Sequence, residues 1–98
     1  MARRSGQLSK EDAASFKGMG FAVVNLREKR RLTKADLAKR AEIAVSTLRE
    51  IERGQSDARW GTLRRLASAL EIPLDAVMEM ADELAPGIGR TARRGQRL

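Results

Sequence analysis

The sequence predicts an all-α fold, a compact domain of five short helices with basic tails. Apolar residues recur at helical spacing, most clearly at Leu63, Leu66, Ala67 and Leu70, and the alternation typical of strands is absent. Aromatic residues make up only 3% of the chain, which is too few for a typical sheet protein. With 98 residues, the chain has room for one core of about 60 to 70 residues and not for two.

Composition also excludes several kinds of chemistry. The chain contains no cysteine and no histidine, so we expect no disulfide, zinc finger, thiol chemistry or imidazole catalysis, and no cofactor. No segment approaches the roughly 20 apolar residues that a membrane span requires. The sequence therefore predicts a cytoplasmic protein that is neither an enzyme nor bound to a membrane.

The net charge of +7 is unevenly distributed. Residues 20–65 hold twelve basic and six acidic side chains, whereas residues 66–85 hold five acidic side chains and no basic one. A body that is basic on one side and acidic on the other is suited to placing its basic face on a polyanion.

The N-terminal helical signals are short and interrupted. Ser9 and Asp12 have the spacing of a capping box and predict the start of a short helix. Gly18 and Gly20 are expected to end it, so residues 1–19 are assigned to a polar N-terminal arm. A separate helix is predicted over Phe21–Arg31, with Val23, Leu26 and Arg30 on one face.

Two further short helices are predicted after residue 31. Thr33 and Asp36 form a second capping box, and the helix that follows should end near Arg40. Beyond a tight connection, Leu48 and Ile51 mark the next helix, which a C-terminal glycine at position 54 should close.

The last two helices complete a domain predicted over residues 20–85. One carries the periodic leucines of residues 63–70, and Pro73 ends that stretch and starts the next helix. Residues 86–98, with four arginines and several glycines, are expected to form a disordered tail.

The segment Leu32–Gly54 resembles the helix-turn-helix of the phage repressor, Cro and Xre family, and the resemblance extends from about Gly20 to Val77. The positions that carry it are the pair Leu37-Ala38, Ile43 in the turn, the opening Ser46-Thr47-Leu48, and the ending Ile51-Glu52-Arg53-Gly54. It implies a lambda-repressor-like fold and the binding of double-stranded DNA in transcriptional regulation.

In such a motif, one helix lies in the major groove while its partner braces it across the backbone. Leu48 and Ile51 should anchor the second helix from behind. Outward positions that suit base edges are then Val45, Ser46, Arg49 and Glu50.

The resemblance also implies roles for residues around this face. The candidates for phosphate contacts are Lys34, Thr47, Arg53, Gln55, Ser56 and Arg59. Arg27 and Glu52 match positions that pair with each other in this family, so a partly buried fork between them is expected to fix the recognition helix.

Several residues depart from the family pattern, among them Ala58 in place of a common proline. Glu42 stands where a turn glycine is usual, and a positive φ there would cost on the order of 1 kcal/mol. Ala44 replaces the usual Ser or Thr cap of the recognition helix. Trp60 is interpreted as a plug in the core or in an interface.

The leading hypothesis is a sequence-specific regulator that binds a near-palindromic operator as a homodimer. The apolar face of residues 74–84 could supply the dimer contact or be buried within the monomer. The alternative is an antitoxin or adaptor that holds a protein partner and regulates its own gene. A restriction-modification controller is a narrower form of the leading hypothesis.

Overall fold

The computed structural model describes residues 10–56 and 58–87. These residues form five helices and no strand: α1 (Lys10–Lys29), α2 (Lys34–Ala41), α3 (Val45–Glu52), α4 (Trp60–Leu70) and α5 (Leu74–Leu84). The predicted all-α, five-helix fold is confirmed. Within the described ranges, no helix is long and apolar enough to cross a bilayer. The predictions for residues 1–9 and 88–98 lie outside the described residues.

The prediction that Gly18 and Gly20 end a first helix is wrong, because α1 continues through both to Lys29. Both glycines are buried at helix crossings. A Cβ on Gly20 would lie 2.6 Å from the carbonyl oxygen of Glu52, and one on Gly18 would collide with the backbone of Ala81. Their bare backbones let α1 approach two other helices closely, and this packing outweighs the low helix propensity of glycine. Residues 10–19 are therefore part of a helix rather than of an extended arm.

A capping box fixes the N-terminal end of α2. The Thr33 hydroxyl accepts from the backbone N–H of Asp36 at 3.0 Å, and the Asp36 carboxylate accepts from the backbone N–H of Thr33 at 3.1 Å. These hydrogen bonds, the one from the Thr33 backbone above all, lower the pKa of Asp36 below its ordinary value. The predicted capping box is confirmed.

The turn between α2 and α3 has the strained geometry that the sequence predicts. Glu42 ends α2 with φ of 59°, in the left-handed region that favours glycine. Ile43 then packs against the core, and Ala44 starts α3 without a side-chain cap. The left-handed conformation of Glu42 lowers the stability of the fold by about 1 kcal/mol. The packing between α2 and α3, which this turn connects, has to offset that cost.

The core lies where α1, α2, α3 and α4 meet and is closed by α5. Its largest fully buried side chains are Leu37, Leu48, Ile51, Leu66, Leu70, Val23 and Val77. Val77 and Ala81 on α5 are buried, and α5 packs along α1, so this part of its apolar face is covered within the monomer. Met78 of the same helix remains 41% exposed.

Trp60 is not a core residue. It begins α4 with 64% of its surface exposed, so the core interpretation of this side chain is wrong.

Candidate nucleic-acid interface

Helix α3 has one buried face and one exposed polar face. Leu48 and Ile51 are 0% and 1% exposed and hold the helix against the core. Ser46, Arg49 and Glu50 are exposed, and their i, i+3, i+4 spacing puts them on one face. A short helix held from behind in this way can present its outer side chains to the major groove of DNA.

Of the four candidate base-reading residues, Val45 is placed differently. It is half-buried and packs against the core, so only part of its side chain is available for contact. A valine in the first turn of α3 is available to the hydrophobic core as well as to a ligand, and the sequence pattern alone does not separate these two uses.

A buried ion pair joins α1 to the end of α3. Nε of Arg27 donates to Oε2 of Glu52 at 2.7 Å, and Nη2 donates to Oε1 at 3.2 Å, which makes a bidentate fork. Arg27 also donates to the backbone carbonyl of Leu32 at 3.0 Å. The two charged side chains are only 11% and 4% exposed. The expected Arg27–Glu52 pair is present, and it fixes the C-terminal end of α3 relative to α1.

Lys34 extends this pair toward the surface. Its Nζ lies 3.8 Å from Oε1 of Glu52, and its side chain is 43% exposed. Lys34, Arg49 and Arg53 all line one shallow cleft of about 300 Å³, together with Arg27 and Glu52. Two candidate phosphate contacts thus meet a candidate base reader at the same place.

The other candidate phosphate contacts do not line this cleft. Gln55 and Arg59 are exposed in the loop between α3 and α4, and Thr47 is half-buried on α3. Ser56 is half-buried and lines a different groove, between α1, α4 and α5.

Sequence reasoning missed Lys17. Gly54 follows α3 with φ of 72°, and a Cβ there would lie 3.0 Å from both Cα and Cγ of Lys17. The aliphatic part of Lys17 therefore packs over Gly54, beside the loop that holds Gln55. The predicted break at Gly18 hid this contact, because it separated residue 17 from the rest of the domain.

A second basic cluster was also missed. Arg40, Arg64 and Arg65 line an open cleft of about 420 Å³ between α2 and α4. Arg64 and Arg65 are consecutive exposed residues of α4, and that repeat of charge was the available signal.

The fold and this surface define a DNA-binding transcription regulator of the helix-turn-helix class. The chain belongs to the helix-turn-helix domain family, whose model matches residues 19–80, more than half of the chain. Comparison with curated proteins gives no match.

Two solved structures illustrate the similarity. The restriction-modification controller protein C.AhdI from Aeromonas hydrophila is 26% identical with a TM-score of 0.64, covering 65% of this chain and 97% of its own. The clp gene regulator ClgR from Corynebacterium glutamicum is 22% identical with a TM-score of 0.68, covering 85% of this chain and 82% of its own. The second likeness supports the fold alone.

Proposed function

We propose that this protein regulates transcription by binding a near-palindromic operator as a homodimer, with α3 of each copy in the major groove. The observation that carries the proposal is the exposed face of Ser46, Arg49 and Glu50 on a helix anchored from behind. One domain of this size reads few base pairs, so two copies on half-sites about one turn apart give useful affinity.

The chemistry of each outward side chain suggests its role. Arg49 is suited to a guanine, Ser46 donates or accepts at a base edge, and the exposed part of Val45 fits a thymine methyl group. The Glu50 carboxylate is repelled by phosphates, so we propose that it either accepts from a cytosine amine or acts only to weaken binding to other sequences.

Phosphate contacts surround this face. Lys34 and Arg53 flank Arg49 in the basic cleft, and Thr47, Gln55, Ser56 and Arg59 are proposed as further contacts. Lys17 joins this set because it packs against Gly54 beside the same loop. These residues supply affinity for any duplex, whereas the outward face of α3 supplies the choice of sequence.

Parallel binding measurements on the operator and on a scrambled duplex, at one salt concentration, test base reading. Ser46→Ala and Arg49→Ala should each weaken operator binding by about 1 to 3 kcal/mol and barely change binding to the scrambled duplex. Glu50→Gln should strengthen scrambled binding and relax the preference at one position per half-site.

Ser68→Ala, an exposed serine on α4, is the matched control and should change neither affinity. Equal losses on both duplexes for Ser46→Ala and Arg49→Ala, with unchanged preference for Glu50→Gln, would show that α3 does not read sequence.

A narrower proposal is that the regulated genes belong to a restriction-modification system. It is favoured by the similarity to a controller protein, at 26% identity over 97% of that chain. A neighbouring methyltransferase or nuclease gene would support it. A neighbouring toxin-like gene would instead favour the antitoxin alternative.

A further inference from the structure

Large hydrophobic side chains are exposed at three places in the described part of the chain. They are Phe21, Trp60 and Met78, which are 49%, 64% and 41% exposed. Exposed apolar side chains grouped beside one groove indicate a surface for another molecule. Met78 lines such a groove, and Trp60 begins the helix whose Leu63 lines the same groove.

Met78 lines a groove of about 250 Å³ between α1, α5 and the start of α4. The apolar side chains that line it are Phe16, Met19, Leu63, Met78 and Ala81, with Ala58 at the loop. Trp60 lies two residues after Ala58 and one helical turn before Leu63. The most exposed aromatic side chain of the described chain is therefore close in sequence to two residues that line the groove, although it does not line the groove itself.

One wall of the groove lies outside the match to the family model. Asp12, Ser15 and Phe16 line the groove, and they precede residue 19, where the match to the family model begins. The groove depends on the N-terminal half of α1, which the family model does not include.

The charges beside the tryptophan and beside the groove are opposite. Asp12 and Asp82 line the groove. Arg64 is exposed and lies four residues after Trp60, on the same side of α4. A contact that places Trp60 in the groove of another copy brings Arg64 toward these carboxylates.

A symmetric contact between two α5 helices is disfavoured by the same argument. The exposed residues of α5 include Asp75, Glu79, Asp82 and Glu83, and this helix carries no basic residue. Pairing α5 with its own copy would bring like charges together, whereas pairing α4 with α5 brings opposite charges together.

We propose that a second copy of this chain occupies the groove by inserting its Trp60, and that the insertion is reciprocal. A two-fold axis requires each copy to offer both the inserted side chain and the groove, and this surface offers both side by side. Tryptophan is one of the side chains enriched among the residues that dominate binding at the centre of such interfaces. The inference deepens the proposed homodimer, and it concerns self-association in the absence of DNA.

The chain contains one tryptophan and no tyrosine, so its intrinsic fluorescence reports on Trp60 alone. We expect the emission to shift to shorter wavelength, and quenching by iodide to fall, over the concentration range where sedimentation shows dimers forming. A monomer at all concentrations overturns the proposal, and so does a dimer that forms without any change in emission or quenching. DNA binding is measured separately, so failure of the proposed operator binding is distinguished from failure of this surface.

Variants test both sides of the contact. Trp60→Ala and Met78→Asp should each raise the dimer dissociation constant by about 30-fold or more, with unchanged helical circular dichroism. Phe21→Ala is the matched control, because it removes an exposed aromatic side chain that the proposed contact does not use, and it should leave the dimer unchanged.

Charge reversal gives a second, independent check. Arg64→Glu and Asp82→Arg should each weaken the dimer, and the double variant should recover part of the loss. Dimer dissociation constants for Trp60→Ala and Met78→Asp that match the wild type would overturn the proposal, as would charge reversals with purely additive effects.

Discussion

The carboxylate of Glu52 lies between a buried guanidinium and an exposed ammonium group. Arg27 holds it from the α1 side at 2.7 Å, and Lys34 approaches from the α2 side at 3.8 Å. Glu52 is the last residue of α3, so this one side chain ties the end of the recognition helix to both helices that brace it.

Separating Arg27 from Glu52 should be costly because both side chains are nearly buried. In a double-mutant cycle, Arg27→Ala and Glu52→Gln should show a coupling energy of about 1 to 3 kcal/mol in the free energy of unfolding. The matched control is the pair of Arg30 and Glu71, at 3.2 Å, whose side chains are 42% and 69% exposed. That pair should couple by less than about 1 kcal/mol. Equal coupling in both cycles would contradict the structural role given to Glu52.

Lys17 is expected to contact a phosphate. Lys17→Gln should weaken binding to operator and scrambled duplex equally and reduce the slope of log affinity against log salt by about 0.9 per copy. Lys10→Gln is the matched control, because Lys10 is exposed two helical turns earlier on the same helix. If both variants lower the slope alike, the packing of Lys17 against Gly54 has no bearing on DNA binding.

The sequence was sufficient to predict the Arg27–Glu52 pair, because both positions match those of a recognisable family. It was insufficient for Lys17 and for the approach of Lys34 to Glu52. Those contacts depend on how neighbouring helices pass each other, and no local pattern encodes that distance.

At the scale of helices, glycine allows close packing in α1 but has no such role in α4. Gly20 lies against the carbonyl oxygens of Glu52 and Ile51, whereas a Cβ on Gly61 would meet no atom within 4 Å. Helix propensity alone treats both positions alike, so the sequence predicted a break in α1 that packing removes.

The two glycines allow a paired test. Gly20→Ala should lower the free energy of unfolding by about 1 to 3 kcal/mol, because α1 must move away from α3. Gly61→Ala should instead raise it, by up to about 1 kcal/mol, since alanine favours the helix and nothing obstructs it. Thermal or urea unfolding of the two variants measures both effects. Stabilisation by Gly20→Ala would show that the crossing is looser than described.

The helices whose local signals are strong were predicted well. The capping box at Thr33, the periodic leucines of α4 and the start of α5 after Pro73 are all set by neighbouring residues. The core alternative for Trp60 was wrong because the exposure of this side chain depends on the angle of α4 against the core.

For the whole molecule, the separation of basic from acidic residues bears on its affinity for DNA of any sequence. The exposed acidic residues of α5 stand apart from the basic cleft of Lys34, Arg49 and Arg53. The C-terminal sequence adds four arginines within residues 90–97.

Truncation after Gly89 should therefore flatten the salt dependence of DNA binding. Each arginine that neutralises a phosphate contributes about 0.9 to the slope. The preferred sequence, determined by selection from random duplexes, should stay the same. A changed preference would mean that the C-terminal arginines read bases.

The packing of α1 along α5 also affects the chain during its synthesis. They are the first and last helices of the described residues, so the buried face of α1 at Gly18 lacks its contact with Ala81 and Ala85 until those residues have been made. Pairing the two ends is the most non-local step of an otherwise local fold, and such steps slow folding. A product that stops after α4 would carry a complete recognition helix on an α1 that lacks its partner. We therefore expect a chain without α5 to be cleaved by proteases faster than the chain that contains it.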